Sequence, residues 1–243
     1  MGYIDDKVDL HIHTTFSDGR SSIQEVISVG RLKGIKVMAI TDHYNEFFKV
    51  SNRFSRDQLA YYLSALEGTG VLKGVETDIF EDGSISISKS TAEFMDLVIG
   101  GLHVLHGVFF WYDTKPILNP AAFVEDTRIT LIKAMETGLL NIIAHVTWLP
   151  ESIRPQTGSL VTKEWIKSVV KAACDNSVAI ELSGAWKVPD EDFARECVHQ
   201  GAMLSAGSDA HSARMVGHVE YSFELMKRIE APPNFLFIPK PKF

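Results

Sequence analysis

His11 and His13 stand one residue apart in VDLHIHTTFSD, the segment whose residue types most readily do chemistry. Side chains alternate along an extended segment, so both imidazoles would face one side. Histidine is a common ligand for transition metals, and two on one face begin a metal site. Alone, the pair reads equally well as a coincidence or as two half-buried strand residues. What separates these readings is whether the rest of the chain supplies further ligands.

Of the nine histidines, six close short apolar runs: His11, His13, His43, His103, His145 and His211. Four acidic residues accompany them: Asp18 in FSDG, Asp42 beside His43, Glu76 in GVETD and Asp209 in GSDAH. Each has an ordinary role when taken singly. Asp18 before a glycine suits a turn, and Asp209 could cap a helix. As a set they would be costly to bury without partners, and metal coordination offsets that cost.

The elements that must position these residues alternate along the chain. Strand-like apolar runs occupy 8–14, 37–43, 71–80, 97–103, 141–147, 178–184 and 202–211. Most are too short for helices and lean on Val, Ile and Leu, as buried parallel strands do. The spacing predicts a helix from Ser21 or Ser22 to Lys33-Gly34, and others near 55–67, 120–137, 162–176, 190–200 and 217–229. Asp82-Gly83 reads as a hairpin turn. Such alternation favours an α/β barrel or a doubly wound sheet. The polar candidates fall at the C-terminal ends of several strands at once, which is where barrels collect active-site residues. An open sheet would gather them at one switch point. The barrel is therefore expected, as a single domain over 1–243 with no dividing linker.

With 45% hydrophobic and 23% charged residues, the composition is that of a globular chain with a sizeable core. No apolar run approaches the roughly 20 residues that span a bilayer, and MGYIDDKVDL lacks the apolar region of a signal peptide. A cytoplasmic location is expected, with Cys174 and Cys197 as reduced thiols. The net charge of −7 and the absence of a Lys/Arg block argue against long nucleic acid as a partner. A small anionic substrate is still allowed, because bound cations reverse the local field.

Taken in order, HIHTTFSDG, AITDH, the Glu of GVE, GGLH, IIAH and GSDAH resemble the motifs of the PHP (polymerase and histidinol phosphatase) family, from Val8 to about Gly217. The resemblance implies a distorted (β/α)7 TIM-like barrel, two or three divalent metals at the strand ends, and hydrolysis of phosphate esters. It places His11, His13, Glu76 and Asp209 on one metal. Glu76 would bridge to a second held by His103 and His145, and Asp18, His43 and His211 would hold a third. Some trinuclear relatives carry histidine where Asp18 stands, a change that bears on metal preference at the third position. The mixed nitrogen and oxygen donors suit Zn, Mn or Fe better than Ca or Mg alone. The implied chemistry is in-line attack on phosphorus by a water acidified between divalent cations. Glu76 and Asp209 are the expected catalytic residues. Whether Asp209 or a second water manages the proton is left open.

Beyond the ligands, Arg20 and Arg214 sit on ligand-bearing loops and are the expected contacts to substrate phosphate, with His218 as a further candidate and Arg154 and Lys187 behind them. Asp42 alternates with His43 and suits orientation of a neighbour rather than ligation. Many relatives read His-Pro after the fifth strand. Here Val146 follows His145, and Trp148 is a pocket candidate. Phe109, Phe110, Trp111 and Tyr112 read as a lid or substrate wall, or equally as packing. His106 is expected at the surface and His199 at a helix end. The closing APPNFLFIPKPKF either abbreviates the last element or packs across the bottom of the barrel.

Three functions follow. The leading one is a stand-alone phosphoesterase acting on a small organic phosphate monoester. The alternatives are a nucleotide phosphodiesterase or short-oligonucleotide exonuclease, and, last, an inactive metal-binding module. Nothing in the residues selects histidinol phosphate over sugar or nucleotide phosphates, and no pattern speaks to oligomeric state.

Overall fold

Seven parallel strands wind into a nearly closed barrel in a computed structural model that describes residues 7–242. Residues 1–6, part of the stretch read for an export signal, lie outside that range. The strands are β1 (Val8–Asp9), β2 (Val37–Ile40), β3 (His43–Tyr44), β4 (Leu72–Asp78), β5 (Leu97–Gly101), β6 (Val104–Leu105), β7 (Val108–Phe109), β8 (Ile142–Ile143), β9 (Ala179–Ser183) and β10 (Leu204–Gly207). Around the barrel the order is β1-β2-β4-β5-β8-β9-β10, with β3 continuing the β2 edge of β4. Closure comes from β10 meeting β1: the Leu10 amide donates to Ala206 at 2.9 Å, and the His13 amide to Ala210 at 2.9 Å.

Every predicted strand run holds a barrel strand, though the ladders are shorter than the apolar runs. Several runs continue past their ladders into the rim of the site, which is why they read longer than the strands, whereas Glu76 stays paired within β4. Leu10, Ile12, Ile40, Val75, Ile99, Ile143 and Ile180 are fully buried in the core, each contributing roughly 1.5–3 kcal/mol by leaving water.

The helices are α1 (Ile23–Leu32), α2 (Leu59–Leu66), α3 (Lys89–Ala92), α4 (Pro120–Glu136), α5 (Thr157–Leu160), α6 (Lys163–Asp175), α7 (Glu191–Gln200) and α8 (Glu220–Arg228). Their starts follow local chemistry. Ser22 and Glu25 form a reciprocal capping box on α1, while the Asn119 side chain accepts the Ala122 amide ahead of Pro120 on α4. Asp82-Gly83 turns the chain as expected, with Ile79 and Ile85 bridged antiparallel across it. Among the described residues no helix is long and apolar enough to cross a membrane.

The closing segment packs across the bottom of the barrel. The Phe237 amide donates to Leu204 at 2.7 Å at the base of β10, and the Lys242 amide reaches Asp96 at 2.7 Å beside the base of β5.

Candidate metal centre

Glu76 stands at the centre of the rim. It lies in register with His43 on the neighbouring strand, and five imidazoles converge on its carboxylate. Oε2 lies 3.0 Å from His43 Nδ1, 3.3 Å from His11 Nε2 and 3.5 Å from His13 Nε2. Oε1 lies 3.2 Å from both His103 Nε2 and His145 Nε2. Two glycines make room for this crowding. A Cβ at Gly101 would stand 2.3 Å from Glu76 Oε1, and one at Gly207 2.3 Å from Glu181 Oε1 and 2.7 Å from the His11 Cβ. The glycines of GGLH and AGSDAH are therefore clearances for ligands. Two other rim residues, His145 and Asp209, hold left-handed backbone at φ 35° and 51°, a conformation that costs a non-glycine residue about 1 kcal/mol or more.

Several imidazoles have their outer nitrogen tied to an acceptor, leaving the inner one to present a lone pair. His11 Nδ1 donates to Glu181 at 2.6 Å and His103 Nδ1 to Asp78 at 2.8 Å. His211 Nδ1 donates to the Asp209 carbonyl at 3.1 Å. That tautomer is the one a metal-binding histidine adopts. Asp78 is held in turn by Arg53, whose Nε and Nη2 reach its two oxygens at 2.9 and 2.8 Å. Asp42 shares no side-chain hydrogen bond with His43 among the described residues. It accepts the amides of Thr14 and Ser17 at 2.7 and 3.2 Å and fixes the loop that carries Asp18.

The donor atoms gather into three overlapping groups: His11, His13 and Glu76; His43, Glu76 and His103; and His13, Asp18, His43 and His211. Asp209 Oδ1 adjoins the first group, 3.3 Å from His13 Nε2. His145 lies outside the groups but within reach of Glu76. His43 belongs to two of them, whereas the motif pattern places it only with Asp18 and His211.

The electrostatics are those of a site built for cations. Burial alone would push the Glu76 and Asp209 carboxyls up, but the surrounding imidazoles hold both well below the usual carboxylate range. Burial and the neighbouring imidazole of His43 push His13 down to about 3. His11 Nε2 and His13 Nε2 face each other at 3.0 Å, and the buried Nδ1 atoms of His13 and His43 have no hydrogen-bond partner among the described residues. Metal ions fit this donor set. Cations among these atoms would satisfy nitrogens and carboxylate oxygens that otherwise crowd one another.

Sequence reasoning missed Glu181, Asp78, Arg53 and Trp186. Glu181 accepts His11 Nδ1 and also the His145 amide at 2.8 Å, while the Trp186 indole N–H donates to Asp209 Oδ2. An acidic residue inside the apolar run VAIELSG was the available signal for Glu181, since a buried carboxylate needs partners.

The substrate candidates separate. Arg20 and Arg214 are exposed on the loops beside His211 and Asp18, and the Arg20 amide donates to the His211 carbonyl at 2.8 Å. His218 and Lys187 are exposed and belong to none of the donor groups. Arg154 is occupied elsewhere, stacked 3.7 Å over Trp148 and bonded to the carbonyls of Leu149 and Phe110. The aromatic run splits by position: Phe110 enters the core, Phe109 and Tyr112 face solvent, and Trp111 stands 5.0 Å from the His145 ring. His106 is half exposed and paired with Asp126 at 2.8 Å, and His199 lies exposed at the end of α7.

A model of the PHP domain matches residues 9–222. The chain belongs to the PHP family. It is 26% identical to the probable phosphatase YcdX of Escherichia coli K12, over 97% of this chain and 91% of that protein. The probable phosphatase PMI1003 of Proteus mirabilis is equally similar, with the same coverage. The histidinol phosphate phosphatase of Lactococcus lactis, solved with zinc, L-histidinol and phosphate, superposes with a TM-score of 0.68. It has 16% identity, covering 92% of this chain and 94% of its own. That structure shares the PHP barrel.

Proposed function

We propose that this PHP protein is a metal-dependent phosphatase that hydrolyses a small organic phosphate monoester. The observation that carries the reading is the Glu76 carboxylate ringed by five imidazole nitrogens within 3.5 Å. Family membership and the phosphatase names of its relatives support it. Divalent transition metals such as Zn, Mn or Fe, two or three in number, would be held by His11, His13, Asp18, His43, Glu76, His103, His145, Asp209 and His211. When bound they supply charge for the phosphoryl oxygens and acidify the attacking water.

The chain's own residues do the rest. Glu76 lies between the donor groups and holds them at fixed separation. Asp209 has Oδ2 committed to Trp186, so Oδ1 is the oxygen left to face the donor groups. Arg20 and Arg214 would meet the phosphate from the Asp18 and His211 side, a charge-assisted contact. The glycines at 101 and 207 leave room for the Glu76, Glu181 and His11 side chains.

The test is phosphate release from an aryl phosphate by protein of measured metal content, beside His11→Ala and Glu76→Ala. Activity with bound transition metal in the parent, and its loss in folded variants, is expected. Folded variants with full activity would contradict the reading. A phosphomonoester panel run against a short 5′-phosphorylated oligonucleotide separates it from an exonuclease, and metal occupancy without turnover on any ester would favour a binding module.

A further inference from the structure

The four tryptophans of the chain are unequally placed. Trp165 is buried on α6. Trp111, Trp148 and Trp186 instead lie on the loops that follow β5, β8 and β9, three consecutive staves of the barrel. There they form one cluster. The Trp148 and Trp186 rings are 4.4 Å apart, and Trp111 lies 5.7 Å from Trp186 and 6.2 Å from Trp148.

Trp111 and Trp148 pack in part against the hydrophobic core, and the cluster also borders the candidate ligands. Trp111 meets His145 edge to face at 5.0 Å and lies 5.5 Å from His103, while Trp186 is bonded to Asp209. All three residues are only partly buried, although the Trp148 Nε1 is buried without a hydrogen-bond partner among the described residues. The adjoining part of the rim is different in kind, carrying the exposed Arg20 and Arg214 on the segments after β1 and β10. Arg154 braces the wall by joining Leu149 on one loop to Phe110 on another, beneath its stack on Trp148.

The electron-rich face of an indole offers nothing to an anionic phosphate, whereas a flat apolar group gains from it, because aromatic pairs attract beyond the area they bury. Resting on the phosphomonoesterase reading, we propose that Trp111, Trp148 and Trp186 form the subsite for the alcohol portion of the ester, and that this alcohol carries a flat aromatic or heteroaromatic ring. With the phosphate over the ligand cluster and drawn toward Arg20 and Arg214, the leaving alcohol lies against the tryptophans. The wall is assembled before substrate arrives, so little ordering is needed on binding.

Benzyl phosphate and cyclohexylmethyl phosphate test this directly. Their alcohols are close in size and basicity but differ in having a flat or a puckered ring. The metal-loaded protein should show kcat/KM roughly two- to tenfold higher for the benzyl ester, and benzyl alcohol should quench tryptophan fluorescence more than cyclohexylmethanol. Trp111→Ala and Trp148→Ala should bring the ratio of the two esters toward one. Equal efficiency in the unaltered protein overturns the ring preference while leaving the phosphatase reading standing. A preference that survives in both variants overturns the assignment to this wall. Release of phosphate from neither ester by the metal-loaded protein instead overturns the phosphatase reading, and the subsite falls with it.

Discussion

His11 Nδ1 and Glu181 Oε1 are 2.6 Å apart, and the other oxygen of that carboxylate accepts the His145 amide at 2.8 Å. One buried carboxylate thus sets the tautomer of one candidate ligand and the backbone of another. Replacing it by alanine should free the His11 ring to rotate and leave the His145 N–H without an acceptor. Glu181→Ala is expected to bind zinc about 10- to 100-fold more weakly, read by competition with a coloured chelator. Unchanged affinity in a folded variant would sink the role given to Glu181.

Clearance is the second requirement of the site. A methyl at Gly207 would meet Glu181 Oε1 at 2.3 Å, whereas one at Gly158 on α5 meets nothing within 4 Å among the described residues. Gly207→Ala should therefore lose about 1–3 kcal/mol of stability by overpacking and also weaken metal binding. Gly158→Ala should match or exceed the parent in thermal unfolding. Equal melting of the two variants would count against the clearance argument.

Much of this arrangement is legible from sequence because the informative residues are local. Most candidate ligands lie in or at the end of an apolar run, so the alternation of strands with helices and the position of the rim can be read together. The capping residues Ser22 and Asn119 announce their helices in the same local way. Glu181 and Trp186 are different, since their partners are far away in the chain, 170 residues for Glu181 with His11 and 23 for Trp186 with Asp209. Nothing near Arg53 signals that the chain will fold its guanidinium onto Asp78. The aromatic run from Phe109 to Tyr112 was ambiguous because a hairpin aims consecutive residues at different surroundings. Its β6 and β7 strands send Phe110 to the core and Trp111 to the site.

Arg20 and Arg214 are exposed, and their guanidiniums face no acidic partner among the described residues, so removing either should leave the fold intact. Hydrogen bonds to charged groups contribute about 1.5–3 kcal/mol when well shielded, and exposure lowers that. Arg20→Ala and Arg214→Ala are each expected to raise KM for a phosphate ester by about tenfold. Bound metal should stay the same by elemental analysis. A lower metal content with unchanged KM would show that these residues support the ligand loops rather than the substrate.

Metal uptake should be coupled to proton release. Burial lowers the pKa of both His103 and His211, but Glu76 and Asp78 around the first and Asp18 and Asp209 around the second outweigh it, pushing each up to about 9. Below that pH the metal-free protein carries a proton on each of these rings, and a cation must displace it, since only the neutral imidazole is a ligand. His13, pushed down to about 3, is already neutral and releases nothing. Zinc affinity is therefore expected to rise with pH from about 7 to about 9 and then to level, with protons appearing in weakly buffered solution as zinc is added to the metal-free protein. The sign is fixed by the direction of these shifts. A flat profile across that interval would mean that the carboxylates do not hold protons on His103 and His211.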